Sequence, residues 1–230
     1  MKVLLFGATG MIGQGVMREC LLDPDVTSVV TVGRRPTGEK HPKVSELIHP
    51  DLAALAPLEP KLVGFDACFF CLGVSVLGMT EAEYTRLTFD LTTSVAKTLL
   101  RTSPGLTFIY VSGASTDSSE KGRMMWARVK GRTENALLSM PFKAAYMFRP
   151  GAVIPVRGIR SSVGWYNAAY VVLKPLYPVL NRLAPNLVTT TERLPRAMIA
   201  VARNGYPSHV LEMADINRLA ASDRHGEQAR

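Results

Sequence analysis

The chain is short of several things. Among 230 residues it has three cysteines, four histidines and two tryptophans, and 19 acidic residues stand against 27 basic ones, a formal net charge of +8. The chain is too long to be a mini-protein held by disulfide staples, and thiols placed in the core belong in a reducing compartment, so a cytoplasmic protein is expected. His41, His49, His209 and His225 show no ligand spacing, and no metal site is expected. Cys68 and Cys71 form a C-x-x-C, but it lies in an apolar strand-like run with no second pair to complete a zinc site. They are expected as core or pocket-lining thiols.

Long uninterrupted apolar runs are also missing. The most lipid-like stretch, residues 165–183, is broken by Asn167, Lys174, Pro175, Pro178 and Asn181, which a membrane span of ~20 residues does not tolerate. It reads as a lid or a subunit contact, which leaves a homo-oligomer open. The first apolar run stops at Gly7 and is read as a strand, not as the start of a signal peptide. The positive charge raises nucleic acid as a partner. Its densest cluster, Lys121, Arg123, Arg128, Lys130 and Arg132, sits at helical spacing with little aromatic interleaving. A solvated helix face is the better account, and no nucleic-acid partner is expected.

What is present is alternation. Short apolar or β-branched runs at 2–6, 28–32, 45–49, 67–71, 107–112 and 143–149 are separated by helical patterns at 12–22, 81–102 and 124–139. Strand-then-helix repetition predicts an α/β fold: a doubly wound, mostly parallel sheet with helices on both faces, and a small C-terminal cap. At ~150 residues per domain, 1–230 is read as a single domain. Within it, 152–190 is expected as a substrate-side lid or cap. A helix is predicted at 194–203 with Pro195 in its first turn, a last strand at 210–216, and a polar, mobile tail at 221–230.

The strongest motif joins the first strand to the first helix: Gly7, Thr9, Gly10, Met11, Ile12 and Gly13 in a G-x-x-G-x-x-G turn. Glycines here permit a tight turn, close approach of backbone N–H groups to a pyrophosphate, and helix–strand packing. Strand before and helix after make it a dinucleotide site. NAD-selective folds place an acid about 20 positions beyond the turn, to hold the ribose 2′-OH. Here the second strand ends in Arg34 and Arg35. Guanidinium groups pair with a 2′-phosphate through parallel hydrogen bonds, so NADP is expected over NAD.

With these residues the chain resembles the short-chain dehydrogenase/reductase superfamily, in its atypical and extended branch of NAD(P)-dependent epimerases, reductases and non-catalytic NADP sensors, all on a Rossmann fold. The resemblance runs from residue 2 to 151 and loosens afterwards. It implies that Asp51 and Leu52 lie beside the adenine, that Leu72 and Gly73 back the ribose and nicotinamide side, and that Pro150 and Gly151 close over the nicotinamide. It also implies a Ser after the fifth strand that bonds the substrate oxygen, here Ser112. A Tyr acting as proton donor should follow, with a Lys four residues later that holds the nicotinamide ribose. The Lys is Lys130; the Tyr position is Trp126.

An indole N–H donates a hydrogen bond but does not titrate near neutral pH, so it cannot relay a proton. Ser115, Tyr110 and Tyr166 are the nearby hydroxyls. Ser112-Gly-Ala-Ser115 has no nucleophile elbow, and hydrolase chemistry is not read from it. Two functions follow. The first is an NADP-dependent oxidoreductase, or epimerase-like enzyme, moving a hydride between nicotinamide and a small carbonyl or hydroxyl substrate, with Trp126 shaping the pocket. The alternative is a non-catalytic NADP-binding sensor or scaffold.

Overall fold

A computed structural model describes residues 1–159 and 187–228. Its first strand, β1 (Lys2–Phe6), is apolar from Val3 to Phe6 and buried on both faces, as the central strand of a parallel sheet must be. Strands β2 (Ser28–Gly33), β3 (Val44–Ile48), β4 (Ala67–Phe70), β5 (Thr107–Val111), β6 (Ala144–Phe148) and β9 (Val210–Leu211) complete a seven-stranded sheet ordered β3-β2-β1-β4-β5-β6-β9. Every pairing in it is parallel. Chain order reverses between β1 and β4, which opens a crevice at their carboxyl ends. The doubly wound α/β Rossmann expectation is met.

The alternation of side chains along the strands divides the interior in two. Val3, Leu5, Ala67 and Phe69 pack with Val16, Met17 and Cys20 of α1 (Met11–Leu22) and with Leu194, Met198 and Val201 of α5 (Arg193–Asn204). Leu4, Phe6, Cys68 and Phe70 turn the other way, onto Val95, Ala96 and Leu99 of α3 (Leu91–Thr102). Cys68 and Cys71 therefore belong to opposite faces, and burial pushes both thiols well above their ordinary range. They are not a redox pair.

The helical pattern at 81–102 is α2 (Glu81–Thr85), a π turn at Arg86–Asp90, and α3. A capping box starts it: Glu83 N–H donates to Thr80 Oγ1 at 3.3 Å, and Thr80 N–H to the Glu83 carboxylate at 2.9 Å. Thr93 Oγ1 donates to the carbonyls of Phe89 and Asp90 where the wide turn hands over to α3. The next helix, α4 (Met125–Leu138), lies against the loop that follows β5. A methyl on Gly131 would stand 1.8 Å from the Asp117 carbonyl oxygen, so only glycine allows that approach.

The C-terminal part departs from expectation. The last strand ends at Leu211, and Ile216 sits instead in the core on α6 (Met213–Gln228). Asp215 accepts from Glu212 N–H at 3.3 Å, in the first turn, which favours helix over strand there. That helix continues past Ala221, through residues whose polarity had suggested a tail outside the regular elements; Ala220, Ala221 and Arg224 are good helix formers. Of the 152–190 segment, β7 (Ala152–Ile154) and β8 (Val188–Thr190) pair in parallel, while Tyr166 and the apolar 165–183 stretch lie outside the described residues. Among those described, no helix is long and apolar enough to cross a membrane.

Candidate functional site

The turn after β1 is built by close approach. Gly7 has φ +81°, and a Cβ there would lie 2.7 Å from the Cys71 carbonyl carbon. A Cβ on Gly13 would lie 2.0 Å from the Gly7 carbonyl oxygen. The two glycines thus let the turn pass between the end of β4 and the start of α1. The N-cap of α1 is Gly10, which offers no side-chain acceptor, and the first turn holds no acidic residue. The N-cap side chain therefore satisfies none of the leading N–H groups of α1, at Met11, Ile12 and Gly13, and such a helix end suits an anion.

A cavity of about 540 Å³ opens over this turn. It brings together Gly7, Thr9, Gly10, Arg34, Arg35, Leu52, Leu72 and Gly73, eight of the residues singled out from sequence, from the ends of β1, β2 and β4 and the loop after β3. Both arginines are exposed, and neither has a hydrogen bond or ion pair among the described residues. Glu46, the acidic residue on β3 beside Thr31, has one carboxylate oxygen occupied by Thr37, through its N–H at 2.8 Å and through its hydroxyl. Glu46 makes no ion pair with either arginine.

Asp51 does not line this cavity. Its carboxylate accepts from Ala53 N–H at 2.9 Å, and its carbonyl oxygen contacts the His49 ring at 2.6 Å. The side chain braces the loop that presents Leu52. Cys71, expected as a core or pocket-lining thiol, also lines it, while Ala8, Thr31, Val32, Gly33, Pro36 and Thr37 were not foreseen. Most neighbour a foreseen residue in sequence, and alternation along β2 would have found Thr31 and Gly33.

The other group lies at the ends of β5 and β6. Ser112 is buried and donates both its N–H, at 2.9 Å, and its hydroxyl, at 3.1 Å, to the Phe148 carbonyl oxygen. Its carbonyl oxygen accepts from Lys130 Nζ. Lys130 and Trp126 occupy successive turns of α4, i and i+4, on one face, both half-buried. The Trp126 indole N–H has no partner among the described residues. Burial pulls the Lys130 ammonium down to about 8, and Glu134 one turn further on partly offsets it.

Glu134 is fully buried and is held by Arg149, whose Nε donates to both carboxylate oxygens at 3.1 and 3.2 Å. Arg149 also reaches Glu212 at 3.1 Å and the Ser118 hydroxyl. This pair was missed from sequence, although Glu134 stands four residues after Lys130. Pro150 follows at once; its carbonyl oxygen accepts from Ala114 N–H at 2.8 Å, which ties the segment after β6 to the loop after β5. A Cβ on Gly151 would meet the Leu187 carbonyl oxygen at 3.0 Å, so that glycine serves the entry to the 152–190 segment.

The alternative hydroxyls fare differently. Tyr110 is buried beside Thr133, and burial pushes its phenol far up. Ser115 is exposed, in a left-handed conformation at φ 65°. Within the basic cluster, Arg128 pairs with Glu81 at 2.7 Å and Arg132 lies 4.1 Å over the Phe89 ring. These contacts tie α4 to α2 and the π turn. A second cavity, of about 610 Å³, flanks α1 between Met17, Arg18 and Leu21 and the backbone at Arg157–Ile159. Among the described residues, no group of His, Cys, Asp and Glu could hold a metal ion.

No protein-family model matches the chain. The protein fmp52, mitochondrial, of Emericella nidulans is 26% identical over 163 residues, spanning 66% of each chain. Protein fmp52-2, mitochondrial, of Aspergillus terreus is 26% identical over 236 aligned positions, 95% of this chain and 96% of that one. Among solved structures, the Bordetella bronchiseptica enzyme WbmH in complex with NAD+ superposes with a TM-score of 0.63 at 17% identity, over 91% of this chain and 73% of that one. UDP-glucuronic acid 4-epimerase from Bacillus cereus, in complex with NAD, gives 0.65 at 14% identity, over 92% and 76%. The fold is that of NAD-binding dehydrogenase/reductase and epimerase-type enzymes. The relatives' names correct the cytoplasmic expectation: they are mitochondrial proteins. Three free thiols speak for a reducing compartment and do not choose among reducing compartments.

Proposed function

We propose that the chain is an NADP-dependent oxidoreductase of the reductase/epimerase kind, acting on a small carbonyl or hydroxyl substrate. The observation that carries the cofactor choice is the arginine pair: Arg34 and Arg35, exposed and without partners among the described residues, line the same cavity as the glycine turn. Two guanidinium groups beside a ribose site suit a 2′-phosphate, whereas the structural neighbours named above carry NAD. The donor set fits a phosphorylated dinucleotide throughout. Backbone N–H groups of α1 face its diphosphate, arginines its 2′-phosphate, and the Leu52 and Leu72 side its apolar surfaces.

A bound nicotinamide supplies the hydride chemistry. The chain's own work is positioning. Lys130, anchored on Ser112, presents its remaining N–H groups at the carboxyl ends of β5 and β6. Trp126 walls the same side one helical turn away. Ser112 can accept from a substrate hydroxyl; to donate to a carbonyl it must exchange its bond to Phe148.

A second reading, an NADP-binding sensor or scaffold without turnover, draws on two particular facts: Trp126 stands where a titrating phenol is wanted, and the Ser112 proton is already committed. A panel of aldehydes and ketones, assayed with NADPH on wild type and on Trp126→Tyr, separates the two. Turnover by wild type, lost on Ser112→Ala, supports the oxidoreductase. NADPH binding by both proteins with turnover by neither establishes the sensor.

A further inference from the structure

We propose that Lys130 is itself the proton-transfer group, its Nζ giving a proton to, or taking one from, the substrate oxygen beside Gly113 at the end of β5. This rests on the oxidoreductase reading above. Three observations lead to it. First, Nζ has one protein partner, the Ser112 carbonyl oxygen, and no carboxylate within ion-pair distance among the described residues, so two of its N–H bonds are uncommitted. Second, Gly113 sets no side chain against it: a Cβ there would sit in van der Waals contact with Nζ, at 3.6 Å, and 4.0 Å from the Pro150 carbonyl oxygen. Third, two neighbouring hydroxyls among the described residues are poor rivals. Tyr110 is buried beside Thr133, and the Ser112 proton is donated to Phe148.

The electrostatics agree. Among the described residues the charged group that acts on Nζ is Glu134 on its own helix, whose carboxylate is held by Arg149 from the end of β6. Strand β5 carries no charged residue, and Ser112 directly after it supplies the carbonyl oxygen that Nζ meets. A half-buried ammonium without a counter-ion loses its proton more readily than a solvated one, and Lys130 is lowered to about 8. It is then mostly protonated at neutral pH, yet close enough to its midpoint to exchange.

In the reductive direction the carbonyl carbon takes the hydride that the reduced dinucleotide supplies, and the C=O π pair moves onto oxygen. That oxygen takes one proton from Nζ: an N–H bond breaks as the O–H bond forms. The neutral amine regains its proton from solvent, so the sum consumes one reduced dinucleotide and one proton per alcohol. Reduction needs the ammonium and falls as pH rises through about 8; alcohol oxidation needs the free amine and rises over the same interval.

The test uses NADPH and 4-nitrobenzaldehyde as the carbonyl probe, with NADPH binding followed separately by fluorescence and the lysine 13Cε resonances of labelled protein followed by NMR. We expect wild-type kcat for reduction to fall above about pH 8 and one lysine resonance to titrate there. In Lys130→Arg that resonance is absent, kcat drops about 100-fold or more, and the NADPH Kd stays within about threefold, which also shows that the variant folds. Lys130→Arg turnover within about threefold of wild type overturns the proposal and leaves the oxidoreductase reading standing. So does a wild-type spectrum in which every lysine titrates at its ordinary value. NADPH binding with no wild-type turnover of the probe or of the carbonyl panel overturns both, the oxidoreductase reading first.

Discussion

The two halves of the crevice are made differently. On the β1–β2 side the site is backbone: glycines that let strand and helix close up, N–H groups at the start of α1, and two arginines added at the rim. On the β5–β6 side it is side chains: Ser112, Trp126 and Lys130, supported from below by the buried Glu134–Arg149 pair. A backbone site tolerates exchange of many side chains so long as the glycines remain. A side-chain site can change its chemistry with one residue. Binding and turnover can therefore part company in this fold.

The largest separation of the halves is expected from Glu134→Ala. It leaves the part-buried Arg149 guanidinium with Glu212 and Ser118 as its side-chain partners, and losing hydrogen bonds to a charged group costs about 1.5–3 kcal/mol. A fall of that size should appear in urea unfolding, and turnover should fall with it as Lys130 loses its neighbour. At a urea concentration where the variant is still folded, NADPH affinity should change little. Equal loss of affinity would show that the halves are not independent. Gly13→Ala is the matching lesion on the other side. Its methyl meets backbone at 2.0 Å, not a movable side chain, so about 1–3 kcal/mol of stability is lost. Dinucleotide binding should weaken at least tenfold, while the Lys130 titration near pH 8 persists.

The same difference explains what sequence could reveal. The first half was legible because spacing carries it: Gly7, Gly10 and Gly13 after an apolar strand have few other uses, and Arg34 follows at the distance where a ribose contact belongs. Six parallel strands were visible as short apolar or β-branched runs, the central ones β1, β4 and β5 because strands buried on both faces lack any other pattern. The short β9 and the start of α6 were not, because Val210 to Ile216 is apolar enough for either state and the local Asp215 bond decides. In the second half sequence could name Ser112, Trp126 and Lys130 but not where their protons point. The bond from Ser112 to Phe148 joins residues 36 positions apart, and Arg149 meets Glu134 across 15. Such partners are set by strand order, which no local pattern encodes. Asp51 shows the opposite failing: a residue placed by resemblance braces its own loop and stays out of the cavity.

The central claim is that the unpaired arginines make this a site for a phosphorylated dinucleotide. Titration of wild type and of the double variant Arg34→Ala, Arg35→Ala with NADPH and with NADH, followed by nicotinamide fluorescence, tests it most directly. Charge-assisted hydrogen bonds contribute about 1.5–3 kcal/mol, so the account predicts NADPH affinity about 10–100-fold weaker in the double variant and NADH affinity unchanged. Equal wild-type affinity for the two dinucleotides, or equal loss of both in the variant, would contradict it.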